Sequence, residues 1–260
     1  MLPAPAYVIS DLHLGAAPRD VERRLIAFLD GLRGRAGALV VNGDLFDFWF
    51  EWRTVIPRVG FRALAALAAL RDAGVPVLWT AGNHDCWGGD VLREEVGADY
   101  RLEWRGELAG WSAWIHHGDG LREVEDRKYR RLRTVLRHPL SIRSFRWLHP
   151  DLASRVALGS SSASRTHRSH DEGAGLQAVA FARLAEAGGP RLVVFGHSHV
   201  PSLARAPGGG VYANAGSWLD RPTFLRVTPD RVELRLFDGS DEGERLDALD
   251  RVAEEALPQA

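Results

Sequence analysis

Five short apolar runs of this chain each end in a cluster of aspartate, asparagine or histidine, and this repeated coupling limits the fold more than any bulk property. The runs at residues 7–9, 38–41, 75–80, 111–115 and 191–195 read as strands, and a further run lies at 211–213. Between several of them the periodicity becomes helical. Residues 21–33 form one such stretch, and the alanine- and leucine-rich residues 61–73 form another, which stops at Gly74 and Pro76 as a helix should. Strand, helix, strand order predicts an α/β layered fold. In an open α/β sheet, ligands bind in the crevice beyond the carboxyl ends of the strands, so groups far apart in sequence meet there.

The five clusters are Asp11-Leu12-His13, Gly43-Asp44, Gly82-Asn83-His84-Asp85, His116-His117-Gly118-Asp119 and Gly196-His197-Ser198-His199. Asp11 and His13, like His197 and His199, are two apart, which in extended chain places both side chains on one side. The glycines at 43, 82, 118 and 196 permit tight turns and close backbone approach. The donors are carboxylates, imidazoles and one amide oxygen, a set that suits manganese, iron or zinc. Seven ligands exceed the needs of one ion. Shared between two ions about 3.5–4 Å apart, they require a bridging carboxylate and form a clamp suited to phosphoryl chemistry. Asp119 reads as turn chemistry rather than a ligand, and His116 as a neighbour whose side chain points away.

The single cysteine, Cys86, excludes an internal disulfide and a thiolate zinc cluster, and reads as a small buried hydrophobe. No run approaches the ~20 apolar residues that span a bilayer, and the first residues lack the basic start and apolar centre of a secretion signal. A reducing, cytoplasmic location is expected. With 260 residues, 45% of them hydrophobic and 26% charged, one α/β domain carrying an insertion accounts for the chain.

That insertion is expected at residues 122–170. There the strand rhythm disappears, and Tyr129, Leu132, Leu136, Leu140, Phe145 and Leu148 fall at mostly helical spacings. Residues 122–168 carry twelve Lys or Arg against four Asp or Glu, in a chain whose net charge is −1. A small-residue loop is expected at 159–164, a core helix at 176–187, and after residue 230 one more strand, at 232–237, followed by an acidic amphipathic tail.

The series DLH, GDLFD, GNHD, HGD and GHSH, in that order across nearly the whole chain, resembles the calcineurin-like metallophosphoesterase superfamily. The resemblance implies a four-layer α/β/β/α sandwich. It implies that Asp11, His13 and His199 hold one divalent ion, that Asn83, His117 and His197 hold the other, and that Asp44 bridges them, manganese being the expected metal. It also implies that His84 stabilises or protonates the leaving oxygen and that Asp47 orients it.

A narrower resemblance rests on GDLFDFWFEWRTVIPR at 43–58, on the helical insertion directly after HHGDGL, and on GSW at 216–218. These are similar to the UDP-2,3-diacylglucosamine pyrophosphohydrolase family of lipid A biosynthesis, whose members split a diacylated UDP-sugar into UMP and 2,3-diacylglucosamine 1-phosphate. The insertion then becomes a helical lid, with attack at the phosphorus nearer the uridine. The substrate-contacting residues implied are Asn83, Asp126, Ser161, Arg165, Arg168 and His197. The best-known members have arginine where this chain has His84, and lysines in the lid loop where this chain has serines and arginines. The aromatic run Phe46, Phe48, Trp49, Phe50 and Trp52 is either core beneath the metal loop or the wall of an acyl pocket. A basic, aromatic-bearing insertion suits an anionic inner-membrane surface and peripheral association. Two other readings stay open, a phosphoesterase acting on a soluble nucleotide or other phosphoester and a non-catalytic scaffold of the same fold. No stacking motif or basic repeat points to nucleic acid.

Overall fold

The computed structural model describes residues 1–165 and 173–252. In chain order the first half gives β1 (Ala6–Ile9), α1 (Arg19–Leu32), β2 (Ala38–Asn42), α2 (Phe61–Asp72), β3 (Val77–Thr80), β4 (Asp99–Arg101), β5 (Glu103–Leu108) and β6 (Trp111–His116). Three helices follow, α3 (Arg127–Leu136), α4 (Pro139–Arg146) and α5 (Pro150–Arg165), and then α6 (Ala174–Leu184). The remainder is β7 (Leu192–Phe195), β8 (Ser202–Arg205), β9 (Val211–Asn214), β10 (Thr223–Val227), β11 (Arg231–Leu236) and β12 (Glu244–Asp250).

One sheet runs β12-β11-β10-β1-β2-β3-β4, the other β5-β6-β7-β9-β8. The strands that carry the clusters are parallel within each sheet: β1, β2 and β3 in the first, β6 and β7 in the second. Their carboxyl ends therefore share one edge of each sheet, which is what brings the clusters together.

Alternation along the strands builds the layers. Tyr7, Ile9, Leu39, Val41, Val77 and Trp79 face α1 and α2, which meet them with Leu25, Phe28, Leu29, Leu64 and Leu67. The intervening Ala6, Val8, Ala38, Val40 and Leu78 face the second sheet, against Ala113, Ile115, Leu192 and Val194. On the far side of that sheet, Trp114, Val193, Phe195 and Tyr212 pack against Leu176, Ala180 and Leu184 of α6. The result is an α/β/β/α sandwich with three apolar interlayers. α1 docks because Val21, Leu25, Phe28, Leu29 and Leu32 recur along one face. Fully burying each such side chain contributes about 1.5–3 kcal/mol.

The expected strands, helices and α/β order are present, with several corrections. Residues 159–164, expected as a loop, continue α5 to Arg165. The expected tail instead forms β12, an edge strand antiparallel to β11. β4, β5, β8 and β10 also went unread; β5 buries only Trp104 and Leu108, so its apolar signal is thin. The aromatic run divides between the two roles expected for it. Phe46 and Trp49 enter the main core, while Phe48, Phe50 and Trp52 pack against Ile142, Phe145, Ala153 and Ala157 of α4 and α5. Cys86 packs at the margin of the main core, where burial pushes its thiol up to about 12. Among the described residues no helix is long and apolar enough to cross a membrane.

Candidate metal centre

The clusters converge through an unusual backbone. Asp11, His13, Asp44, His197 and His199 all have positive φ, at 53°, 47°, 52°, 64° and 62°, and Ala109 is the one other non-glycine in that region among the described residues. Left-handed conformations cost of order 1–3 kcal/mol each at non-glycine residues and persist where surrounding structure enforces them. The same-side placement of Asp11 with His13, and of His197 with His199, therefore arises from a left-handed turn after the strand and not from the extended chain expected. Three glycines allow the close approach. A Cβ on Gly43 would fall 2.8 Å from Gly82 Cα, one on Gly82 would fall 2.6 Å from Asp44 N, and one on Gly196 would fall 2.7 Å from Asp11 Oδ2.

Ligand-capable atoms of Asp11, His13 and His199 lie within 4.8 Å of one another, as do those of Asp44, His117 and His197. His13, Asp44 and His84 make a third such set. His13 Nε2 and His199 Nε2 face each other at 3.1 Å, and His199 Nε2 is 3.4 Å from Asp11 Oδ1. His117 Nε2 is 3.2 Å from Asp44 Oδ2 and 3.9 Å from Asp11 Oδ1. Asn83 Oδ1 and His117 Nε2 are buried without a hydrogen-bond partner. Buried polar atoms of this kind call for an explanation, and a cation supplies it.

The donor set fits divalent metal. Asp11 and Asp44 are buried carboxylates, and neutral imidazoles cannot offset their charge. Burial pushes the Asp44 carboxyl up, but His117, His84 and His13 outweigh it and hold it well below the usual carboxylate range. Burial disfavours charge on His117, yet Asp44 and Asp11 draw a proton onto it. A cation would take that proton's place, as ligand imidazoles must be neutral. His197 and His199 are pushed down to about 4, chiefly by burial, and so stand as neutral donors.

Neighbouring groups fix the rings. His117 Nδ1–H donates to the Asn42 carbonyl at 2.8 Å, which leaves Nε2 toward Asp44. Thr80 Oγ1 donates to Asn42 Oδ1 at 2.6 Å, and Asn42 Nδ2 donates to the His116 carbonyl, tying β2, β3 and β6 at the site. Asp85 accepts from the backbone N–H of Gly82 at 2.7 Å and of Leu45 at 3.0 Å, joining the loops after β2 and β3. Ser217 Oγ donates to the Asp11 carbonyl at 2.7 Å. Asn42, Asp85 and Ser217 were assigned no role from the sequence. Asn42 carried one usable signal, a polar side chain closing an otherwise apolar strand.

His84 lies beside the ligands, its ring edge-on to His13 with centroids 4.9 Å apart and its Nε2 4.0 Å from Asp44 Oδ2. Its Nδ1–H donates to the backbone carbonyl of Asp47 at 2.9 Å. The Asp47 carboxylate, expected to orient His84, is 3.9 Å from that ring and only 3.4 Å from His13 Nδ1. Asp47 thus holds His84 through its main chain, and its side chain faces His13.

Asp119 is buried and faces the insertion, accepting from Tyr129 and Arg137. His116 turns away from the ligands, its Nδ1 accepting from Gly118 N at 2.8 Å. Asp126 is buried and paired with Arg122 Nη2 at 2.8 Å. Arg168 and the side chains of Ser161 and Arg165 lie outside the described residues.

A sequence model of the calcineurin-like phosphoesterases matches residues 4–201. A UDP-2,3-diacylglucosamine hydrolase of Porphyromonas gingivalis is 40% identical over 164 residues, covering 61% of this chain and 63% of that protein, so this match spans less than two thirds of the relative. A protein of the same name from Pseudomonas entomophila is 30% identical over 240 residues, covering 90% of this chain and 99% of that protein. Among solved structures, a dimetal phosphatase from Danio rerio aligns with a TM-score of 0.48 at 14% identity, covering 95% of this chain and 98% of that one.

Proposed function

The chain belongs to the calcineurin-like phosphoesterase family, and from that premise we propose that it is a metal-dependent hydrolase of UDP-2,3-diacylglucosamine, giving UMP and 2,3-diacylglucosamine 1-phosphate. The observation that carries the reading is one continuous arrangement. The ligand cluster, His84 and Asp47 adjoin an aromatic run that packs directly on the helices of the insertion. The relatives that bear this activity in their names extend over nearly the whole chain.

Asp11, His13 and His199 would hold one divalent ion and Asn83, His117 and His197 the other, with Asp44 between them; manganese is the proposed metal. Such ions supply Lewis acidity toward phosphoryl oxygens and acidify water. In the reaction, water oxygen bonds to the phosphorus nearer the uridine, the bond from that phosphorus to the bridging oxygen breaks, and the bridging oxygen leaves with the sugar phosphate. His84 has Nδ1–H committed to the Asp47 carbonyl, so its Nε2 is the atom turned to the ligands. In its protonated form it offsets charge on the departing oxygen or gives it a proton.

Residues 122–170 serve as the lid. A cavity of about 1190 Å³ lies between the loop at 52–58 and α4, lined by Trp52, Ile56, Ile142, Trp147 and Leu148 with Arg143 and Arg146 at hand. Acyl chains suit the apolar lining, and arginines pair with phosphate. Trp147 is 84% exposed, and Leu132, Val135 and Leu140 are exposed among arginines, which suits peripheral contact of a cytoplasmic protein with an anionic inner-membrane surface. Asp126 is proposed to contact the sugar, with Ser161, Arg165 and Arg168 as further lid contacts.

Mass spectrometry of lipid extracted from the purified protein, together with turnover of the UDP-lipid, tests this. A co-purified 2,3-diacylglucosamine 1-phosphate and release of UMP support it. Absence of lipid together with turnover of soluble nucleotides alone would replace it with the soluble-substrate reading.

A further inference from the structure

We propose that a second groove, between α1 and the turn after β9, receives the nucleoside of the substrate while the phosphate stays at the metal ligands, with Arg23 and Arg221 as hydrogen-bond donors to the base. The assignment rests on the hydrolysis of a UDP-linked lipid proposed above and specifies where its polar end lies. The groove encloses about 610 Å³ and is lined by Arg23, Arg24, Arg221, Pro222 and Phe237. That volume falls within the usual range for small-molecule sites, roughly 300–1,000 Å³.

Its position follows from hydrogen bonds. Ser217 Oγ donates to the carbonyl of Asp11 at 2.7 Å, and the Arg221 N–H donates to the carbonyl of Ser217 at 3.1 Å. Two hydrogen bonds and one residue therefore separate the backbone of Arg221 from that of a metal-ligating aspartate. On the other wall, α1 begins at Arg19, a short link after His13. Asp220, next to Arg221, also lines the groove.

The chemistry of the lining is selective. Arg24 pairs with Asp20 at 3.1 Å, whereas the guanidinium groups of Arg23 and Arg221 have no hydrogen-bond or ion-pair partner among the described residues. Both residues are exposed, and each guanidinium is available to donate to the carbonyl oxygens of a base. Phe237 lies against the buried Trp218, with centroids 6.2 Å apart and planes at 18°, which makes a rigid apolar surface of the kind a base can cover. Asp238, whose Oδ1 accepts from Ser240, presents its Oδ2 for a ribose hydroxyl.

Direction supports the same end of the substrate. His84 and His199 both contact the His13 ring, at 4.9 and 5.0 Å. From His84 the structure leads through Asp47 to the aromatic run and the cavity beside α4. From His199 it leads through Asp11 to Ser217 and Arg221. A substrate with its pyrophosphate at the ligands must send its diacylated sugar and its nucleoside along separate paths, and the α4 cavity, at about 1190 Å³ with an apolar lining, suits the acyl chains.

Calorimetric titration of the manganese-loaded full chain with UMP, and separately with inorganic phosphate, tests the assignment. Wild type is expected to bind UMP more tightly than phosphate. Arg23→Ala with Arg221→Ala is expected to weaken UMP by about tenfold or more, as loss of two charge-assisted contacts implies, and to shift phosphate less than about twofold; the corresponding lysine pair should fall between. Unchanged UMP affinity in the alanine pair, or a parallel loss of UMP and phosphate, overturns the proposal. Arginine-dependent UMP binding without turnover of the UDP-lipid would retain the groove and remove the substrate reading. Lipid turnover with arginine-independent UMP binding would do the reverse.

Discussion

The Tyr129 hydroxyl donates to the Asp119 carboxylate at 2.6 Å, joining the first helix of the insertion to the loop that carries His117. Asp119 also accepts from Arg137 at 3.2 Å, and its backbone carbonyl accepts from Arg133 at 3.0 Å. Position of α3 and position of the ligand loop are thereby coupled. The carboxylate is buried, and although burial raises its affinity for a proton, His117 and Arg137 hold it below the usual range.

Tyr129→Phe removes one donor and leaves the arginines in place. A hydrogen bond to a charged group contributes about 1.5–3 kcal/mol, and partial compensation by Arg137 leaves a loss of about 1 kcal/mol. The expected outcome is a fall of about fivefold in kcat/KM for the UDP-lipid, carried mainly by KM, with metal content unchanged. Steady-state kinetics beside elemental analysis checks it; an unaltered KM would separate α3 from substrate binding.

Much of this was legible from sequence because each cluster closes an apolar run. Asp11, Asp44, Asn83, His117 and His197 were placed at strand ends, and parallel strands bring such ends together. What sequence could not give was the backbone. The pairing of Asp11 with His13 follows from positive φ at both, which no two-residue spacing reveals. Asn42 and Ser217 act through hydrogen bonds across the fold, which neither the polar end of an apolar strand nor the GSW motif discloses. The Asp47 side chain was assigned to His84 by the family resemblance; the fold turns it toward His13. β12 was missed because its residues are mostly exposed and charged, so no apolar alternation marks it.

Gly82→Ala is expected to empty the centre without unfolding the sheets. The added Cβ would fall 2.6 Å from Asp44 N, inside backbone that cannot yield. Displacing Asp44 removes the carboxylate shared by two ligand sets. Elemental analysis should find fewer than one ion per chain, while far-ultraviolet circular dichroism stays native. Two bound ions in that variant would contradict the placement of Asp44.

His84 and Asp47 should separate by readout. His84→Ala is expected to lower kcat by about 10²-fold or more with two ions still bound, since general acid–base groups contribute about 10²–10⁴-fold. His84→Arg, which restores a positive charge, should retain more activity than alanine. Asp47→Asn, whose carboxylate is nearer His13 than His84, should instead weaken metal retention by about 10–100-fold, as loss of a partner behind a ligand does. A fall in kcat alone for Asp47→Asn would return its carboxylate to the orientation of His84.

Hydrolysis of UDP-2,3-diacylglucosamine by the manganese-loaded protein in ¹⁸O-labelled water, with both products weighed by mass spectrometry, tests the central claim most directly. The site described here predicts one ¹⁸O in UMP, none in 2,3-diacylglucosamine 1-phosphate, and no labelled product with Asp44→Ala. Label in the lipid phosphate, or full turnover by Asp44→Ala, would contradict it.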